Sequence, residues 1–218
     1  MRSIVAVNGS PKSKDSASGI FIEQIGSMIG SEIPVYQAVQ LIRQKDISPM
    51  LADILKAEVL LFVFPLYVDS LPAPLIKILT LLEAAAKSAG HPLPKAYAVC
   101  NCGFFEAEQN FLALDMVKNF CERAGLSWGF GIGVGGGGMV SAMSKNMAEG
   151  PAANVHAALR RLGDAISHGS PSSQNIFVTP KFPRALYRFG GNMGWRRMAK
   201  ANGVGKNLNA KPHTDLKS

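Results

Sequence analysis

The sequence predicts an α/β protein, a five-stranded parallel sheet between helix layers, followed by a basic C-terminal extension. Three observations carry this expectation. Strand-like and helix-like segments alternate, five of each, through the first 169 residues. The third strand-like run, "AEVLLFVF" (57–64), is apolar almost throughout, as a central strand buried on both faces should be. The charge is also unevenly divided. Residues 1–169 hold 14 Lys/Arg and 14 Asp/Glu, whereas residues 170–218 hold 9 Lys/Arg and one acid, Asp215. The whole net charge of +8 therefore lies in the extension.

The elements follow in order. "SIVAVN" (3–8) is the first strand, and after a polar loop "SGIFIEQIGSMIG" (18–30) is the first helix. "IPVYQA" (33–38) is a weaker second strand. "SPMLADILKA" (48–57) has Ser48 placed as N-cap and Pro49 at the first helical position. After the third strand, "APLIKILTLLEAAAKSAG" (73–90) and "EAEQNFLALDMVKNFCERAG" (106–125) each close on a glycine stop. The fourth strand, "KAYAVCN" (95–101), lies between them. "SWGFGIGVG" (127–135) is the fifth strand and "PAANVHAALRRLGDAISHG" (151–169) the fifth helix. Segment 170–180, "SPSSQNIFVTP", reads as a linker. Two regions are thus expected, 1–169 and 170–218.

Composition excludes several classes. With 47% apolar and 17% charged residues the chain is globular. The longest apolar run, Val59–Val68, is about half of the ~20 residues a membrane-spanning helix needs, so a soluble, cytoplasmic protein is expected. Three cysteines make no disulfide framework, and Cys100, Cys102 and Cys121 have neither CxxC nor metal-ligand spacing. The four histidines are scattered, so no metal site is expected.

In a parallel sheet, ligands bind beyond the carboxyl ends of the strands, which directs attention to loops 9–17, 65–72, 102–106 and 135–148. The first loop suits an anion: Ser10, Ser16 and Ser18 supply hydroxyls, Lys12 a charge, and the following helix its N-terminal N–H groups. An ordinary polar loop with a serine cap is the plainer alternative. A Walker A loop is excluded, because counting from Gly9 its second glycine and its lysine fall on Lys14 and Asp15. "GIGVGGGG" (131–138) matches G-x-G-x-x-G in form, but it ends a strand, no helix is read directly after it, and Ala153 stands where an acid is needed. It reads instead as a loop that lets another backbone or a flat ligand come near. "FPLYVDSLPAP" (64–74) sets out Leu66, Tyr67 and Val68 for a planar ring, or as loop anchors. "NCGFFEAEQN" (101–110) adds Asn101, Gly103 and Phe104, while Glu106 complements a helix N-terminus.

Together, "VNGSPKSKDSAS", "PLYVDSLPAPLIK", "NCGFFEAEQN" and "GIGVGGGG" resemble the flavodoxin-like NAD(P)H-dependent FMN reductase family, and within it the branch that includes the iron–sulfur flavoproteins. The resemblance covers residues 1 to about 168. It implies strand order 2-1-3-4-5 and one FMN per chain. Its phosphate would be held by Ser10, Lys12, Ser16, Ala17 and Ser18, and its ring lined by Pro65, Leu66, Tyr67, Val68, Asn101, Cys102, Gly103 and Phe104. The segment matching the branch's cysteine cluster, "QAVQLIRQKDISPM" (37–50), has no Cys, so no iron–sulfur cluster is expected.

The reading is an FMN-dependent oxidoreductase that takes hydride from NAD(P)H and reduces a small acceptor such as a flavin or quinone. No side chain is expected to be an essential acid or base. The alternative is an electron carrier docking to a protein partner, but carriers favour a strongly charged docking face and residues 1–169 are neutral. The extension interleaves Lys181, Arg184, Arg188, Arg196, Arg197 and Lys200 with Phe182, Leu186, Tyr187, Phe189, Trp195 and Met198. A second subunit, an anionic membrane surface or the phosphates of NADPH fit that mixture; nucleic acid fits less well. Pro183 and Gly190–Gly191 interrupt amphipathic periodicity, so packing of Trp195 on the domain or on a second chain in a homo-oligomer is favoured over a membrane surface.

Overall fold

The computed structural model describes residues 2–12, 16–170, 174–205 and 208–209; Lys14, Asp15 and Asp215 lie outside the described residues. Two compact units are distinguished, Met1–Lys181 and Phe182–Ser218.

In the first unit, β1 (Ile4–Asn8), α1 (Ala17–Ile29), β2 (Val35–Gln37), α2 (Ala38–Leu41), α3 (Ser48–Lys56), β3 (Val59–Pro65), α4 (Ala73–Ala86), β4 (Lys95–Asn101), α5 (Phe111–Ala124), β5 (Ser127–Val134), α6 (Gly137–Ala142), α7 (Ala153–His168) and β6 (Ile176–Val178) follow one another. All strand pairs are parallel, in the order β2-β1-β3-β4-β5-β6. The expected order 2-1-3-4-5 is present, and a sixth strand extends it. That strand comes from the stretch read as a linker: Ile132, Gly133 and Val134 pair with Ile176, Phe177 and Val178.

The central strand explains why the sheet sits between two apolar layers. Its residues alternate sides: Leu60, Phe62 and Phe64 join Leu75, Leu82, Leu114 and Val117 of α4 and α5 on one face. Val59, Leu61 and Val63 join Phe21, Ile25, Leu159 and Leu162 of α1 and α7 on the other. These side chains are fully buried, each contributing about 1.5–3 kcal/mol relative to exposure. Edge-on aromatic pairs lock each layer, Phe62 on Phe120 at 5.9 Å and Tyr97 on Phe130 at 5.6 Å.

Helices depart from the sequence expectation in several places, among them α5, which begins at Phe111 rather than Glu106 because a short 3-10 turn, Ala107–Asn110, precedes it. α4 stops at Ala86, before Gly90, because Lys87 and Ser88 already turn back onto Glu83 and Ala85. Ser48 is the first residue of α3 rather than its cap, and its N–H takes the Asp46 carboxylate at 2.9 Å. A six-residue helix, α6, does begin directly inside the glycine run after β5.

In the second unit, α8 (Arg184–Ala201) runs unbroken through Gly190–Gly191, and Pro183 stands just before its first turn. It closes with Gly203 donating to Lys200 O and Val204 to Ala199 O. No residue of α8 is buried.

Candidate functional site

Because every strand is parallel, all carboxyl ends lie at one edge of the sheet. The chain leaves β1 for β2 on one side and continues with β3 on the other, so a cleft between diverging connections opens beyond β1. The loops after β1, β3, β4 and β5 meet there through specific contacts.

The loop after β1 is held by its own side chains. Asn8 Oδ1 accepts from Ser10 N–H at 2.9 Å, and Ser10 Oγ accepts from Lys12 N–H at 3.2 Å. Ser16, in extended conformation, caps α1 by accepting from Gly19 N–H at 3.0 Å. Both serine oxygens thus accept from backbone, and their O–H groups have no acceptor among the described residues. Ser10, Ser16 and Ser18 are buried, Ala17 half-buried and Lys12 exposed. Gly9 is required at the strand's exit, since a Cβ there would lie 2.8 Å from both Phe64 Cβ and Leu75 Cδ2.

Asn101 ties the site together. Its Nδ2 donates to Phe64 O at 3.1 Å and lies 3.5 Å from Ser18 Oγ, while its backbone O accepts from Leu66 N–H at 2.8 Å. Its Oδ1 would be 2.9 Å from any Cβ on Gly137. One buried amide therefore braces the first, third and fifth loops. The glycine run completes the contact, with Gly136 N–H on Phe104 O at 2.6 Å and Gly137 N–H on Cys102 O at 2.8 Å. At Gly135 a Cβ would collide with Phe105 O, so the reading of a loop that admits another backbone describes this contact.

Cys102 is buried, its Sγ 3.6 Å from Phe104 O, 3.7 Å from Glu106 O and 3.4 Å from Asn110 Nδ2. Burial pushes its thiol up from the ordinary 9.0. Its side chain is thus directed into the loop, leaving the exposed Gly103 and Phe104 at the rim. On the other rim Tyr67 is exposed and exchanges two backbone hydrogen bonds with Ser70, closing a tight turn over Val68 and Asp69. Both turn residues have positive φ, 49° and 56°, and Val68 is 98% exposed. A β-branched residue is strained in that region. Pro65 and Leu66 are half-buried beneath it.

Two contributors were missed in the sequence. Asn8 carries a local signal, an Asn before a Gly at a strand end. Asn110 has none: its amide reaches Ala107 O at 2.8 Å and Val134 O at 3.3 Å, contacts only the fold creates. No group of three or more His, Cys, Asp or Glu able to hold a metal occurs among the described residues.

Chemically, this edge offers unspent hydroxyl donors at a helix N-terminus, suited to a dianion. Beside it stand two rims with exposed aromatic side chains, suited to a flat ring.

No family model and no curated protein matches the chain. Solved structures do. An NADH:FMN oxidoreductase in its apo form is 18% identical, with 79% of this chain and 92% of that chain covered and a TM-score of 0.59. The NAD(P)H:quinone oxidoreductase from Methanothermobacter marburgensis is 15% identical, covering 79% of this chain and all of its own at a TM-score of 0.57. A WrbA-like flavodoxin from Agrobacterium tumefaciens is 11% identical, with coverages of 78% and 97% and a TM-score of 0.55. At such identities the likeness concerns architecture, and the chain has the flavodoxin-like α/β fold.

Proposed function

We propose that the protein is an FMN-dependent oxidoreductase that accepts hydride from NAD(P)H and reduces a small acceptor such as a flavin or quinone. The observation that carries this reading is the pair Ser10 and Ser16, whose oxygens accept from Lys12 and Gly19 N–H and whose protons remain free to donate. A dianionic phosphate needs donors held in place beforehand, and these two are fixed by backbone. Ser18 and Ala17 add the first turn of α1, and Lys12 adds an exposed positive charge.

Pro65, Leu66, Tyr67 and Val68 form one rim for the ring, Gly103 and Phe104 the other. Asn101 and Cys102 serve this site from behind, holding loops in register rather than facing the ring. When bound, FMN supplies the two-electron chemistry between nicotinamide and acceptor. The chain's residues position it, and none of them is required to carry a proton. The named activities of the similar structures, an NADH:FMN oxidoreductase and an NAD(P)H:quinone oxidoreductase, support the same class. Exposed Phe104, Leu112 and Met116 support a homo-oligomer that covers part of this surface.

The experiment is an FMN titration of the protein, followed by anaerobic addition of NADH or NADPH with the visible spectrum recorded. Bleaching by either nucleotide, and recovery on adding benzoquinone or free flavin, supports the proposal. Absence of FMN binding discards it. Bound FMN that neither nucleotide bleaches would replace it with the electron-carrier reading.

A further inference from the structure

We infer that Asn8 is a positioning residue of the proposed phosphate site and, acting through Ser10, sets the preference for a phosphorylated over an unphosphorylated flavin. This rests on the FMN reading given above. Asn8 is the last residue of β1 and is 1% exposed. Ile4 and Ala6, which share its face of the strand, belong to the apolar layer under α1 and α7. A buried amide in that row calls for a partner, and it has one: Oδ1 accepts from the N–H two residues on, that of Ser10, at 2.9 Å. Ser10 repeats the arrangement, its Oγ accepting from Lys12 N–H at 3.2 Å. Two side-chain turns thus follow one another, and the second starts from the residue that the first holds.

The sheet fixes the chain only as far as Gly9, whose N–H is bound to Val63 O at 2.8 Å. Ser10 is the first residue beyond that ladder, and it is 3% exposed. Among the described residues, Asn8 Oδ1 is the one acceptor for its N–H. Remove that oxygen and a buried donor is left unsatisfied, so the backbone at Ser10 turns to find another acceptor and carries Oγ with it. The hydroxyl that is to meet the phosphate then loses its place, and the turn to Lys12 goes with it. The choice of an amide also fits an anion site. Aspartate makes the same turn, but it would set a negative charge beside a dianion, whereas asparagine supplies the acceptor without charge.

The test titrates the full chain with FMN and with riboflavin by flavin fluorescence. The parent should bind FMN more tightly than riboflavin. Asn8→Ala should lower FMN affinity about tenfold, the weight of one displaced donor to a charged acceptor, and leave riboflavin affinity near that of the parent. Asn8→Val removes the same acceptor with a strand-favouring side chain and should behave alike, which settles the matter should the alanine variant not fold. Asn8→Ser can remake the turn through its hydroxyl and should recover part of the lost preference, a rescue that a role in stability alone does not give. Combined with Ser10→Ala, Asn8→Ala should cost little beyond Ser10→Ala by itself, because one residue acts through the other. A parent with no preference for FMN discards the phosphate reading and this inference with it. If the parent prefers FMN, the inference alone is overturned when the preference survives in both Asn8→Ala and Asn8→Val, or when affinity for the two flavins falls equally. A serine variant no better than alanine overturns it too, as does full additivity with Ser10→Ala.

Discussion

The double variant Ser10→Ala with Ser16→Ala separates the cofactor reading from a merely well-capped loop. Each hydroxyl that donates to a charged acceptor contributes about 1.5–3 kcal/mol, so the pair is worth about 3–6 kcal/mol of FMN affinity. At about 1.4 kcal/mol per tenfold, that is two to four orders of magnitude, with tenfold as a floor if water takes the vacated places. Ser16 does a second job, since its oxygen caps α1 through Gly19 N–H at 3.0 Å. Losing the cap should cost about 1 kcal/mol of stability and lower the thermal midpoint by a few degrees. The assay is flavin fluorescence titration of apo protein with FMN and, in parallel, with riboflavin, which lacks the phosphate. The variant should lose its preference for FMN while riboflavin affinity stays near that of the parent. An unchanged FMN dissociation constant would refute the reasoning, as would an equal fall for both ligands.

Three further outcomes follow from packing and ionisation. Gly135→Ala drives a Cβ against Phe105 O and to 2.9 Å from Ala107 N, both backbone, and should destabilise by about 1–3 kcal/mol in thermal melts; Gly138→Ala, with nothing within 4 Å, should not. Hydrogen bonds from Lys87 at 2.9 Å and Arg123 at 3.1 Å hold the Glu83 carboxyl below its ordinary 4.5. Its contribution is therefore complete above pH 4.5 and lost as pH falls through the lowered folded value, so the gap in thermal midpoint between parent and Glu83→Gln should close below pH 4.5; a gap independent of pH would contradict this. Burial pushes the Cys121 thiol up to about 12 and the Cys100 thiol well above 9.0, so a thiol reagent near pH 8 should label the native protein slowly and all three cysteines only after denaturation.

What could be read in advance was local. β3 announced itself because a strand covered on both faces must be apolar at every position, and α1, α5 and α7 because their apolar faces recur with helical period between capping residues. β6 was hidden because three residues, Ile176–Val178, have no period of their own. They become a strand through Gly133, whose missing side chain leaves room for the Phe177 ring. α6 was hidden by Gly136–Gly138, poor helix formers held by contacts to Cys102 and Phe104. In the site, Ser10 and Ser16 could be singled out from sequence because they belong to one loop. The bracing role of Asn101 could not, since it depends on Phe64, Ser18 and Gly137 being brought together.

The sixth strand bears on how the extension can be removed. β5 would otherwise be the sheet's last strand, eight residues long, and its outer rim a ready template for another chain. Residues 175–181 cover that rim: Asn175 Oδ1 accepts from Gly131 N–H at 2.8 Å, Val178 O from Gly135 N–H, and Thr179 Oγ1 from Ala107 N–H at 3.1 Å. Lys181 N–H then fastens to Pro151 O at 2.8 Å. A chain cut after Gly169 would lose this selvedge with the basic helix, and clumping through β5 would be mistaken for an effect of lost charge. Cutting after Lys181 removes α8 and leaves the rim covered.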